Sequence, residues 1–105
     1  MYVQLTRFEL LPDKTDESIG ERILAHVLSF KGVKAYTTLL DGIKGVSIIT
    51  YGKQTDAEAA AETLRALWRE LEDLLAEPPV TEGYAVSTHV TGDAIRVLNE
   101  PARRL

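Results

Sequence analysis

Apolar and polar residues alternate from Tyr2 to Leu11. Tyr2, Gln4, Thr6 and Phe8 fall on one side and Val3, Leu5, Arg7 and Glu9 on the other, and a period of two marks a strand. Pro12-Asp13 breaks the alternation. A helical stripe follows, Ile19, Ile23, Val27 and Phe30, widened by Leu24 and Leu28. Thr15 or Asp16 is placed to cap its start and Gly32 to end it. Val33 to Leu40 reads as a second strand, Asp41-Gly42 opens a short turn, and the β-branched and aromatic run Val46 to Tyr51 is the returning arm of a hairpin. Thr55 with Glu58 forms a capping-box pattern. It starts the longest helix, in which Ala57, Ala60, Ala61, Leu64, Leu67, Trp68, Leu71, Leu74 and Leu75 recur at helical spacing until Pro78-Pro79. Tyr84 to Val90 alternates again as a fourth strand.

The order strand, helix, strand, turn, strand, helix, strand predicts an α+β, ferredoxin-like βαββαβ sandwich: a four-stranded antiparallel sheet with two helices on one face. It fills residues 1–90, and residues 91–105 form a tail. In that tail Gly92-Asp93 can start a turn over Ala94 to Asn99, and Ile95, Val97 and Leu98 give it reason to pack on a partner chain.

Sorting strand residues by parity predicts how the sheet is used. One face carries Tyr2, Phe8, Val33, Ala35, Leu39, Val46, Ile48, Tyr84, Val86 and Val90 and is expected under the helices. The other carries Val3, Leu5, Tyr36, Leu40, Ile49, Tyr51 and Ala85 among Arg7, Glu9, Lys34 and His89. A sheet face of roughly 600 to 800 Å² is larger than most apolar patches on monomers, and pairing it with its own copy reaches the size of a stable interface. A sheet-to-sheet homodimer is expected.

Composition narrows the chemistry. At 105 residues the chain makes one domain, and the absence of cysteine rules out disulfides and thiolate metal sites and points to the cytoplasm. No apolar run is long enough for a membrane span, and the alternating start is not a signal peptide. A net charge of −4 argues against a nucleic-acid surface. The only histidines, His26 and His89, have no carboxylate companion placed for a metal site. Nucleophile elbows, phosphate loops and dinucleotide fingerprints are absent.

Several stretches resemble one superfamily. Val3-Gln-Leu-Thr-Arg-Phe-Glu-Leu10 with Pro12-Asp-Lys14, the helix running into Phe30-Lys-Gly-Val33, and Val46 to Tyr51 running into Gly52-Lys-Gln-Thr-Asp-Ala-Glu-Ala59 are similar to the dimeric α+β barrels, and within them to the antibiotic-biosynthesis-monooxygenase-like domain. The resemblance covers about residues 1 to 90. It implies a homodimer through the sheets, with a pocket in each subunit between sheet and helices. It also implies either a cofactor-independent monooxygenase acting on aromatic or quinol-like compounds or a non-catalytic, ligand-sensing or structural dimer of the same fold. The haem-degrading branch of the superfamily uses an Asn on the first strand, a Trp early in the second helix and an axial His further along it. The nearest positions here hold Thr6, Ala60 and Glu70, so no haem is expected. Thr6, Phe8 and Trp68 are the expected substrate contacts, and His26 and Tyr51 are the candidates for a base by elimination. No cofactor and no metal are expected.

Overall fold

The computed structural model describes residues 1–14 and 18–93. Strand β1 is Tyr2–Glu9, helix α1 Ile19–Val27, β2 Val33–Asp41, β3 Lys44–Tyr51, α2 Gln54–Glu70 and β4 Val80–Ala85, with single 3-10 turns at Pro12–Lys14 and Glu72–Leu74. The four strands form one antiparallel sheet in the order β2-β3-β1-β4. This is the expected ferredoxin-like arrangement, with α1 packed on β2 and α2 on β1 and β3.

The periodicity of each helix explains what it buries. Ile19, Ile23 and Val27 of α1 are fully enclosed, and Phe30 packs against the core just beyond the helix. Leu28 lies outside the stripe and is 75% exposed, so it does not widen the apolar face as expected. The Thr15 and Asp16 caps expected for this helix fall outside the described residues. In α2 the buried set is Ala57, Ala60, Leu64, Leu67 and Trp68, continued past the helix by Leu71 and Leu75. The helix starts after an extended Lys53 with no side-chain cap, one residue before Thr55, so the Thr55–Glu58 capping box is not the one used. A 3-10 turn then carries the chain alongside β1. Leu11 donates its N–H to the Leu74 carbonyl and Ala76 donates to that of Glu9, which sets β4 next to β1.

Register corrects the expected faces. Tyr2 pairs with Tyr51, Gln4 with Ile49, Thr6 with Ser47 and Phe8 with Gly45, so these positions share the helix-covered side. Ile49 and Tyr51 are therefore core residues at 1% and 0% exposure, whereas parity alone assigned them to the other side. Val46 and Ile48, opposite Arg7 and Leu5, move to the uncovered face. On β2, Leu39 and Ala35 pair with Val46 and Thr50 and face outward, while Tyr36 pairs with Ile49 and joins the core. A register shift between Val33 and Ala35 keeps Val33 on the covered side. Strand β4 lies earlier than expected. Tyr84 pairs with Val3 on the uncovered face, and Val86, His89 and Val90 lie past the strand's end.

The uncovered face is nonetheless apolar. Its central rows run Leu39, Val46, Arg7, Val80; then Thr37, Ile48, Leu5, Glu82; then Ala35, Thr50, Val3, Tyr84. Leu39, Val80 and Tyr84 are each about half exposed. An ion pair on this face joins Arg7 to Glu82 at 3.0 Å, and the Tyr84 hydroxyl also donates to Glu82. Those two donors, Tyr84 before Arg7, hold the Glu82 carboxyl below the usual carboxylate range.

Gly45 shows how closely the core is fitted. A Cβ there would stand 2.2 Å from the Phe8 ring, which lies directly over the strand. Gly45→Ala is expected to displace that ring and destabilise the fold by about 1–3 kcal/mol, read as a lower urea midpoint with an unchanged slope. An unchanged midpoint would show that Phe8 is not clamped there.

Candidate functional site

Helix cover ends at β1. Neither helix packs on β4 as it does on the other strands, and the inward residues of β4 are small: Thr81, Gly83 and Ala85. Gly83 is needed because the Tyr2 ring lies across it; a Cβ at this position would meet the Tyr2 hydroxyl oxygen at 2.0 Å. Between α2 and β4 there is consequently a cleft. Its inner part, about 270 Å³, is lined by Gln4, Ala61, Leu64, Arg65, Trp68, Pro79 and Thr81. An outer hollow of about 520 Å³ shares Arg65, Trp68 and Pro79 with it and reaches Arg69, Glu72 and Asp73. A larger trough, about 570 Å³, lies on the uncovered face and its rim, away from this polar interior.

The floor of the cleft is polar and uncharged. The Tyr51 hydroxyl donates to Gln4 Oε1 at 2.7 Å, and Gln4 Nε2 donates to the Ala57 carbonyl at 3.2 Å, tying β3, β1 and α2 together. Thr6 Oγ1 and Thr81 Oγ1 share a hydrogen bond of 2.8 Å between β1 and β4. Trp68 reaches from α2 over Phe8, ring centroids 5.2 Å apart and tilted by 41°. Among the described residues, Ser47 Oγ and the indole Nε1 of Trp68 are buried polar atoms with no protein partner. An unpaired buried donor costs about 1–3 kcal/mol, so such atoms mark places where a water or a ligand atom would be held.

The structure brings Thr6, Phe8, Trp68 and Tyr51 together around this floor. Among these, only Trp68 lines the cleft; Thr6 and Phe8 lie beneath it, and Tyr51 reaches it through Gln4. His26 is placed elsewhere, on the outer surface of α1, its Nε2 3.9 Å from Glu70 Oε2. Gln4, Ser47 and Thr81 were not singled out by the sequence reading. The signal for Gln4 was present: it shares the covered parity of β1 with Tyr2 and Phe8, where a polar residue has to be hydrogen-bonded. Among the described residues no group of three His, Asp or Glu side chains gathers as a cation site.

Burial pushes the Tyr51 phenol up to about 12. The folded state therefore keeps a proton that the unfolded chain starts to lose near pH 10. Stability from this group is complete below pH 10 and falls as pH rises through about 12. The loss is expected to reach on the order of 2 kcal/mol. Tyr51→Phe should be less stable near pH 7, because Gln4 Oε1 loses its donor, yet should show a shallower alkaline decline. Urea midpoints across pH 7 to 12 would reveal both, and parallel declines in the two proteins would contradict this placement of Tyr51.

No family sequence model and no curated protein sequence matches the chain. Solved structures do. A proposed antibiotic biosynthesis monooxygenase from Nitrosomonas europaea is 27% identical, with a TM-score of 0.67 over 84% of this chain and 100% of that one. SnoaB, a cofactor-independent oxygenase from Streptomyces nogalater, is 16% identical with a TM-score of 0.68, covering 85% and 95%. A proposed antibiotic biosynthesis monooxygenase from Deinococcus radiodurans is 7% identical with a TM-score of 0.68, covering 87% and 97%. The four-stranded sheet, its two helices and these likenesses give the chain the ferredoxin-like fold of antibiotic-biosynthesis-monooxygenase-like domains.

Proposed function

We propose that the chain works as a homodimer that holds a small flat aromatic or quinol-like molecule in each α2–β4 cleft, as a relative of cofactor-independent monooxygenases. The observation that carries this reading is the unpartnered indole N–H of Trp68 at the border of a cleft with a neutral polar floor. A carbonyl or phenolic oxygen would accept that hydrogen, while Leu64, Ala61 and Pro79 offer apolar contact to a ring. The likeness to SnoaB, a cofactor-independent oxygenase, supports a site that uses its substrate's own reactivity. In the catalytic form of this reading, the cleft binds an electron-rich aromatic whose ionised form reacts with dioxygen. Tyr51 retains its proton until about pH 12, and His26 stands outside the cleft. The inner part of the cleft thus offers no side-chain base among the described residues, and there the protein's part is to bind, orient and desolvate a substrate that ionises readily. Among the described residues no carboxylate or imidazole lines the cleft's inner part, Glu72 and Asp73 standing in the outer hollow, and this is also what favours the second reading, a ligand-sensing or structural dimer.

Pairing rests on the uncovered sheet face. Its rows of Val3, Leu5, Val46, Ile48 and Leu39 make an apolar surface of the extent a standard dimer interface buries, roughly 800 Å² per partner.

Trp68 is the only tryptophan, so its fluorescence reports on the cleft directly. A hydroxyanthrone probe is expected to quench it saturably, and Thr81→Leu, which fills the floor, to abolish the quenching without unfolding the chain. Equal binding by the variant would place the ligand elsewhere. Oxygen uptake by the same probe separates the two readings: acceleration by the protein, with a pH dependence that follows the probe's own ionisation, supports the oxygenase, and binding without acceleration supports the sensor. For pairing, sedimentation equilibrium should give twice the 11.6 kDa chain mass. Leu5→Asp or Ile48→Asp should give a folded monomer or an aggregate, whereas a wild-type monomer at micromolar concentration would rule the pairing out.

A further inference from the structure

We propose that Arg65 makes the α2–β4 cleft selective for an aromatic ligand that carries a carboxylate, with the acid group seated where the inner part of the cleft meets the outer hollow. This rests on the reading of the cleft as a ligand site and names the class of ligand it takes. Among the described residues, Arg65 is the one charged side chain that lines the inner part. It lines the outer hollow as well, as Trp68 does three residues further along α2, which places both at the neck between the two spaces.

The hydrogen bonds already made inside the cleft decide what a ligand has to offer. Gln4 is committed at both ends, to Tyr51 and to the Ala57 carbonyl, and the Thr6 and Thr81 hydroxyls are joined to each other. The strong donors left at the neck are the unpartnered indole N–H of Trp68 and the Arg65 guanidinium. Both give hydrogens and neither accepts one, so the group they fit is an acceptor, and a planar carboxylate matches the guanidinium fork best. Arg65 Nη1 is held by Glu62 at 2.6 Å, but that pair lies one turn apart on the exposed side of α2, and Glu62 lines neither space. An exposed pair of this kind is weak, and the remaining N–H groups of the fork are free of it. The outer hollow has the opposite character: Glu72, Asp73 and Glu77 stand there against Arg69. A negative group is therefore drawn to the neck and not to the hollow, while Ala61, Leu64 and Pro79 take the ring inward of it.

Anthracene-9-carboxylate and anthracene-9-carboxamide have nearly the same shape and no phenol, so at pH 7 they differ in charge alone. Saturable quenching of Trp68 fluorescence in the full chain gives the affinity of each. The carboxylate is expected to bind about tenfold more tightly than the carboxamide. Arg65→Gln should bring the two affinities together by weakening the carboxylate and leaving the carboxamide where it was, and Arg65→Glu should reverse their order. Arg69→Gln, which changes the charge of the hollow only, should keep the preference. Equal affinities in the wild-type protein would overturn the proposal while leaving the cleft as a ligand site, and that comparison needs no variant. A preference that survives Arg65→Gln, or that disappears in Arg69→Gln, would overturn the assignment to Arg65. Failure of both anthracenes and of the hydroxyanthrone probe to quench would remove the cleft reading itself, and the inference with it.

Discussion

The ladder between β1 and β3 is the constraint on which the rest depends. A strand commits each residue to one side, and a slip of one position would exchange the two faces completely. Here the register is held from the covered side. Phe8 lies over Gly45, and Tyr51 and Gln4 are joined by a hydrogen bond that continues to the Ala57 carbonyl of α2. Any shift would place the Phe8 ring against a side chain instead of a glycine and would leave Gln4 buried without partners. Fixing this ladder fixes what is core, what is cleft floor and what faces outward.

Two consequences follow from how far the helices extend. Because α2 sits on β1 and β3, the inner side of β4 is left to small residues, and the gap becomes a cleft bounded by Trp68. Because both helices lie on one side, the outer side carries Val3, Leu5, Val46 and Ile48 with neither helix above them. The same economy of cover thus supplies a place for a ligand and a surface for a partner. The polar exceptions on each side are paired differently. Inside, among the described residues, neutral amides and hydroxyls satisfy one another except at Ser47 and Trp68; outside, Arg7, Glu82 and Tyr84 form a charged cluster within an apolar field.

The order of elements was legible because it depends on local patterns: alternation in β1, the stripe of α1, and the long run of Ala and Leu in α2. The two faces of the sheet were only partly legible. Parity within β1 was right, but relating β1 to β3 requires the register, which is set by Phe8 over Gly45 and by a tight turn between Asp41 and Lys44. Reading β3 from Val46 without that information put Ile49 and Tyr51 on the wrong side. Strand β4 was displaced because Tyr84 to Val90 alternates as well as Val80 to Ala85 does; what selects the earlier stretch is the backbone pairing of residues 74–76 with 9–11, a contact distant in sequence. Thr6, Phe8 and Trp68 could be gathered in advance because they share the covered side of the sheet and the buried stripe of α2. Gln4 and Thr81 were harder to see, since their roles arise from the gap α2 leaves beside β4.

Both consequences are tested at once by the accessibility of methyl groups to a soluble gadolinium chelate in the intact protein. If the outer face is covered by a second copy and the inner face of β4 is left open, the methyls of Val3, Leu5, Val46 and Ile48 will be shielded nearly as well as that of the core residue Ile49. Those of Thr81 and Ala85 will be strongly relaxed. Outer-face methyls as accessible as Thr81, at a concentration where Ile49 remains shielded, would contradict the account.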